Sequence, residues 1–281
     1  DYILFMGSSH AEGLQVMQSR NMVTVLNGLF SANTRTVYNM GTAGYTLPLI
    51  IEGFQAGIDE FPHSSAIIIE LSEMACTSDE LTRALDQTQY APSSSGAELV
   101  KSQSLSRRVR NDLLSVFPII SLLRQQIDSA SFNFHGAFGL QAKKPAQTTQ
   151  VREINTATAA PAESADFLSA LNQAFALLRS EYDNPIVLLY HPGVSFLPDG
   201  TLTVNRETQF YDDYVSACKS NGFMFVDTGD AFLEAYESDF TVPYGFQNST
   251  LCSGHLNVSG HRIVAEELYQ ALNAALDKES R

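Results

Sequence analysis

Cysteine is scarce and scattered. Cys76, Cys218 and Cys252 are the only three in 281 residues, and no two form a C-x-x-C pair. Neither a zinc site nor a disulfide framework is encoded. Basic charge is also short, with 17 Lys and Arg against 31 Asp and Glu, for a net charge of −14. Such a surface repels phosphate backbones, which argues against nucleic acid as a partner. No apolar run approaches the ~20 residues that a membrane helix needs. No H-x-x-x-H spacing offers a metal site, so no metal or other cofactor is expected. The G-x-S-x-G elbow of the α/β-hydrolases is missing, and Ser216-Ala217-Cys218-Lys219 fits S-x-x-K only by letter, without its companion motifs. The chain opens at Asp1, directly on a core strand and without an initiator Met. The expectation is that an N-terminal signal or membrane anchor has been removed and that the protein is extracytoplasmic.

What remains is ordinary for a folded chain: 44% apolar and 17% charged residues, enough for one large α/β domain with insertions or for two small domains. The informative stretch is Tyr2-Ile3-Leu4-Phe5-Met6-Gly7-Ser8-Ser9-His10. A short apolar run reads as a buried strand, and it ends in Gly-Ser-Ser before residues that can start a helix. A serine there lies where open α/β sheets place their ligand crevice. The turn that follows can supply both a nucleophile, Ser9, and an oxyanion donor. A plain helix N-cap would look the same locally.

The partner a weakly nucleophilic serine needs is a general base. Leu251-Cys252-Ser253-Gly254-His255-Leu256-Asn257-Val258-Ser259-Gly260-His261 supplies one at the other end of the chain. The two stretches together resemble the first and last blocks of the SGNH/GDSL hydrolase family, roughly Gly-Asp-Ser-x-[ST]-x-Gly and Asp-x-x-His-[LP]-[NS]-x-x-Gly-[HY]. Ser9 falls on the family's serine and His255 on its histidine, with Ser8 in place of the first-block Asp. Asn39-Met40-Gly41-Thr42-Ala43-Gly44 resembles the second block, Asn-x-Gly-x-x-Gly, which implies that Gly44 donates a backbone N–H to the oxyanion.

Two departures from the family pattern matter. After the strand Ser65–Leu71, where Gly-x-Asn-Asp is expected, the chain reads Ser72-Glu73-Met74-Ala75-Cys76. The oxyanion asparagine is absent, and Ser72 or Asn248 could substitute. The Asp three residues before the histidine is Cys252, a thiol that cannot steady an imidazolium as a carboxylate does. His255 is then held by a backbone carbonyl, by Glu73, or by the more remote Asp227 or Asp230; Glu73 could equally be a solvated loop acid. His10 is a competing base, but side chains of neighbouring residues on an extended segment diverge. His191, at the exit of a strand, is a candidate substrate contact.

The rest of the chain alternates strand and helix, which predicts a doubly wound parallel sheet. Strands are expected at Thr34–Tyr38, Ser65–Leu71, Pro185–Tyr190 and Phe223–Asp227 in addition to the first. Helices are expected over 12–31 with a break near Ser19–Asn21, and over 46–60, 164–182, 207–221 and the C-terminal stretch with Val264, Leu268 and Leu272. Together they give a flavodoxin-like sheet of about five strands with helices on both faces. An insertion at about 78–163 interrupts it, with helices at 78–87 and 107–127 and a loop over 130–161. The insertion could be a lid or ordinary packing. Cys76 and Cys252 both fall at the active edge of such a sheet, as a disulfide or as two free thiols.

The expected activity is that of a serine esterase cleaving a small O-acyl ester, a carbohydrate ester among the candidates, through an acyl-enzyme on Ser9 with His255 as base. An O-acyltransferase on extracytoplasmic polysaccharide and a non-catalytic glycan-binding module are the alternatives.

Overall fold

The computed structural model describes residues 2–30, 35–89, 161–206, 208–247 and 249–279. Its elements are β1 (Tyr2–Gly7), α1 (Ser9–Glu12), a 3₁₀ turn (Gln18–Arg20), α2 (Met22–Phe30), β2 (Thr36–Gly41), α3 (Leu47–Glu60), β3 (Ser64–Leu71) and α4 (Ser78–Gln89). Then follow α5 (Pro161–Glu181), β4 (Ile186–Tyr190), β5 (Gly193–Phe196), β6 (Leu202–Asn205), α6 (Thr208–Ser220), β7 (Met224–Asp227), α7 (Gly229–Asp239) and α8 (Val258–Glu279).

Five strands form one parallel sheet in the order β2-β1-β3-β4-β7. This is the doubly wound, flavodoxin-like order. The strands read as unbroken apolar runs because both faces are covered. Leu4, Ile67, Ile69 and Leu188 pack on one side with Phe54 of α3, Leu81 of α4, Phe175 of α5 and Tyr214 of α6. Ile3, Phe5, Ile68 and Val187 pack on the other with Leu26 and Phe30 of α2, Phe232 of α7 and Leu268 of α8. Strand order reverses at β1, between β2 and β3, so the crevice of such a sheet opens beyond the carboxyl ends of β1 and β3. Gly7 and Leu71 end those strands.

Two elements were not foreseen in the sequence. β5 and β6 form an antiparallel hairpin, and α7 follows β7 directly. The helix expected over 12–31 is broken earlier and more widely than the pattern suggests. Gly13 caps α1 in the left-handed region (φ 68°), and Asn21 bridges the break. Its Nδ2 donates to the Ala11 carbonyl (2.9 Å) while its Oδ1 accepts from Val23 N–H (2.7 Å). The helix expected at 107–127, nearly all of the loop over 130–161, and Asn248 lie outside the described residues.

Candidate active site

Ser9 is the first residue of α1, a helix of four residues. Its N–H therefore has no intrahelical acceptor, and no protein acceptor for it is found among the described residues. Ser8 is the N-cap, its hydroxyl accepting from His10 N–H (3.3 Å). The second-block turn is fastened to the same helix. Thr42 N–H donates to the Gly7 carbonyl (2.9 Å), Asn39 Nδ2 to the Ala11 carbonyl (2.8 Å) and Ala43 N–H to Glu12 Oε2 (3.0 Å). Gly41 lies so close that a Cβ there would meet Glu12 N at 2.5 Å. Gly44 sits at φ 79°, a conformation open to glycine at little cost.

His255 is positioned by a second set of backbone bonds. Tyr244 and Leu256 form an antiparallel bridge, and Gly245 N–H donates to the His255 carbonyl (3.2 Å). Asn257 closes the loop onto α8: its Nδ2 donates to the Val242 carbonyl (2.7 Å), and its Oδ1 accepts from Ser259 and Gly260 N–H. That is an N-cap, and it explains an Asn at the start of the last helix. The result is that Ser9 Oγ and His255 Nε2, 246 residues apart, lie 2.8 Å from each other. Both side chains are half-buried.

Behind them is a buried polar network that the sequence patterns did not indicate. Glu70 and His191 are both fully shielded from solvent, and His191 Nε2 lies 2.6 Å from Glu70 Oε1. Glu70 also accepts from Ser8 N–H (2.6 Å) and Ser8 Oγ (2.9 Å). Burial by itself would push the Glu70 carboxyl up, but the His191 hydrogen bond and charge, with the two Ser8 bonds, hold it below the ordinary carboxylate range. His191 Nδ1 lies 2.8 Å from the Tyr244 hydroxyl, which also donates to the His191 carbonyl (2.8 Å). Every polar atom of the pair thus has a partner, as a buried charge requires.

His10 lies between this pair and the base. Its ring centroid is 4.7 Å from that of His191 and 4.6 Å from that of His255. Burial first, then the charges of His191, His255 and His261, hold the His10 pKa far below its usual value. His255 is also held low, mainly by burial, with Glu70 raising it and His191 lowering it. His261, in the first turn of α8, accepts from Met22 N–H through Nδ1 (3.2 Å).

Several sequence expectations need correction. His191 cannot touch substrate directly, because no part of it is exposed; its place is on Glu70. Asp227 is engaged by Arg206 Nε (2.6 Å), Tyr211 Oη (2.8 Å) and Gly229 N–H (2.7 Å), and Asp230 by Arg206 (2.7 Å), so neither orients His255. Glu73 is exposed and has no bond to His255, and among the described residues no carboxylate bonds the base at all. His10 faces the flank of His255, not Ser9 Oγ. Met74, near the family's asparagine position, turns its side chain into the core. Cys76 and Cys252 are free thiols. Ser72 sits half-buried at the exit of β3, and with Ser8, Thr46, Leu47, Met74 and Tyr214 it lines a small pocket of about 40 Å³.

One signal for Glu70 was present in the sequence: it is the lone charge inside Ala66-Ile67-Ile68-Ile69-Glu70-Leu71. A carboxylate in a strand buried on both faces must have a partner.

No protein-family profile matches the chain, and no curated protein matches it. Solved structures do. LAE5, an alpha/beta hydrolase enzyme from the metagenome of Lake Arreo, aligns with TM-score 0.48 and 11% identity over 96% of this chain and 94% of its own. The psychrotrophic esterase EstA from Pseudoalteromonas sp. aligns with TM-score 0.48 and 12% identity over 98% of each chain. The acetyl xylan esterase AlAXEase gives TM-score 0.49 and 10% identity over 96% of this chain and 99% of its own.

Proposed function

We propose that this chain is a serine esterase of the SGNH/GDSL type acting on a small O-acyl ester, with Ser9 as nucleophile and His255 as general base. The observation that carries the reading is the 2.8 Å contact between Ser9 Oγ and His255 Nε2, made by the two positions that the family blocks single out. His255 takes the Ser9 proton as Oγ bonds to the ester carbonyl carbon, and the carbonyl electrons move onto oxygen. The N–H groups of Ser9 and Gly44 receive that oxyanion; neither has a protein acceptor among the described residues. His255 then protonates the leaving alcohol, and water, activated by the same base, releases the acid. Losing one oxyanion donor typically costs about 10²–10³ in rate, so the missing asparagine predicts a slow enzyme more than an inert one.

The pocket lined by Ser8, the neighbour of Ser9, with Ser72 and Leu47 is the acyl site of this reading. A carbohydrate alcohol is the substrate class that accompanies short acyl groups in the resembling family. The test is labelling with a fluorophosphonate, followed by peptide mass spectrometry, on wild type and Ser9→Ala, with turnover of nitrophenyl acetate and nitrophenyl octanoate. An adduct on the Ser9 peptide and a preference for acetate are expected. A folded wild-type protein that takes no label refutes the reading and points to a glycan-binding module. Faster turnover on adding a sugar acceptor, with the acyl group recovered on the sugar, identifies a transferase.

A further inference from the structure

We infer that His10 is the positioning residue for His255, filling the orienting role that the SGNH pattern gives to a carboxylate three residues before the histidine. The inference rests on the esterase reading for its catalytic consequence, but its geometric basis stands apart from it.

The site has a gap to fill. Position 252 is Cys, with φ 61°, and among the described residues no acid reaches the base. A histidine held only by its bond to Ser9 would rotate about χ1 and χ2 and lose the alignment that proton transfer needs.

His10 supplies the missing constraint in two ways. Its ring lies against that of His255 at 4.6 Å with 33° between planes, an offset arrangement that limits rotation of the base. Its Nδ1 accepts the backbone N–H of Leu256 (3.3 Å), the residue next to His255. The dipeptides Ser9-His10 and His255-Leu256 are therefore tied twice, once through the reacting atoms and once beside them.

A support is useful only if it is itself fixed, and His10 is. It is 8% exposed. Its backbone N–H is taken by the Ser8 hydroxyl, and the far face of its ring meets His191 at 4.7 Å. Tyr244 closes a third side at 6.2 Å. His191 and Ser8 both end on the Glu70 carboxylate. The buried Glu70–His191 pair thus holds the wall against which the base rests. Because burial keeps His10 uncharged, His255 can gain a proton without a like charge in contact, while the Glu70 carboxylate beyond favours the protonated base.

The experiment compares wild type, His10→Ala and His10→Asn, in which the Asn Oδ1 can replace the acceptor at Nδ1. Nitrophenyl acetate turnover and fluorophosphonate labelling are measured with thermal midpoints, and ring ¹⁵N spectra are recorded at neutral pH. In wild type, His255 is expected as a single tautomer protonated at Nδ1, since Nε2 accepts from Ser9. In His10→Ala, kcat and the labelling rate fall about 10²-fold, the scale of a small misplacement, with KM within twofold and the two His255 tautomers averaged. His10→Asn recovers about tenfold of the rate.

If His10→Ala keeps both wild-type kcat and the fixed tautomer, the inference is overturned while the esterase reading stands. If wild type neither labels nor turns over, the esterase reading fails, and the tautomer spectra still decide whether His10 positions His255. A His10→Ala protein that unfolds leaves His10→Asn to decide: a rate within about tenfold of wild type with a single His255 tautomer supports the acceptor bond, whereas a 10²-fold loss with the tautomer still fixed overturns the inference.

Discussion

Gly7 is where the nucleophile turn and the buried carboxylate press hardest on each other, and Gly7→Ala measures how firmly Glu70 is seated. A Cβ built there would fall 2.8 Å from Glu70 Cβ and 2.9 Å from Ala11 Cβ, and closer still to Glu70 Oε2. Glu70 is fully buried and bonded to Ser8 and His191, so moving it aside breaks those bonds. Overpacking of this kind costs about 1–3 kcal/mol. Displacing the carboxylate from Ser8 also weakens hydrogen bonds to a charged group, each worth roughly 1.5–3 kcal/mol. A loss of about 3–5 kcal/mol follows. For a domain of roughly 150–250 residues each kcal/mol moves the midpoint by about 2–4 °C, so calorimetry should show a fall on the order of 6–20 °C, and Ser9 labelling should slow with it. The companion is Gly7→Ala/Glu70→Asp, whose shorter side chain returns room for the methyl group. It should be more stable than the sum of its two single changes by about 1 kcal/mol or more. A single variant with an unchanged midpoint, or a double variant that is strictly additive, would refute the account of Glu70 as the crowded partner.

Other perturbations probe the base, the oxyanion turn and the acid sensitivity of the fold. His255 works as a base only when neutral, and its pKa is held below 6.5 chiefly by burial; the rate of Ser9 labelling should reach half its plateau below pH 6.5, and a midpoint at or above that value contradicts the burial argument. Gly44→Ala meets no neighbouring atom, yet forces a side chain to φ 79°; about 1–2 kcal/mol of strain is expected, with a rate loss near 10²-fold if its N–H serves the oxyanion, measurable by turnover at fixed folded fraction. The His261 pKa is pushed down to about 4 by burial first, then by His191. Below pH 6.5 the unfolded chain binds a proton there that the folded one refuses, so stability should fall by roughly 3 kcal/mol between pH 6.5 and 4. Urea midpoints for wild type and His261→Asn should differ in slope over that interval, the variant being flatter; parallel slopes would remove His261 as the cause.

Much of this was legible in the sequence. Five strands stand out because each is a short run of β-branched or large apolar residues, and their partner helices carry a clear apolar stripe. Ser9, Gly44 and His255 are singled out by the resemblance to the family blocks, and the structure brings Ser9 Oγ to 2.8 Å from His255 Nε2. The hairpin β5–β6 was missed although Leu197-Pro198-Asp199-Gly200-Thr201 is a strong turn signal, since four-residue strands barely express a period. The wall behind the base was missed for a different reason. Glu70 and His191 are 121 positions apart, and Leu256 and His10 are 246 apart. Nothing local marks such pairs except the oddity of a charge in a buried strand and a histidine after another.

The double tie between Ser9-His10 and His255-Leu256 also sets a timetable. The second dipeptide is made 246 residues after the first, while β1, β2 and β3 can pair in the interval. Throughout that interval the nucleophile has no base and His10 has no amide to hold. α2, whose Leu26 and Phe30 belong to the same core cluster as Leu268 and Leu272 of α8, has not yet been covered. On the esterase reading, Ser9 gains its base in one step, when α8 docks and brings His255 to it. On the esterase reading, a chain broken off before residue 255 has no base for Ser9 and should not take the fluorophosphonate label.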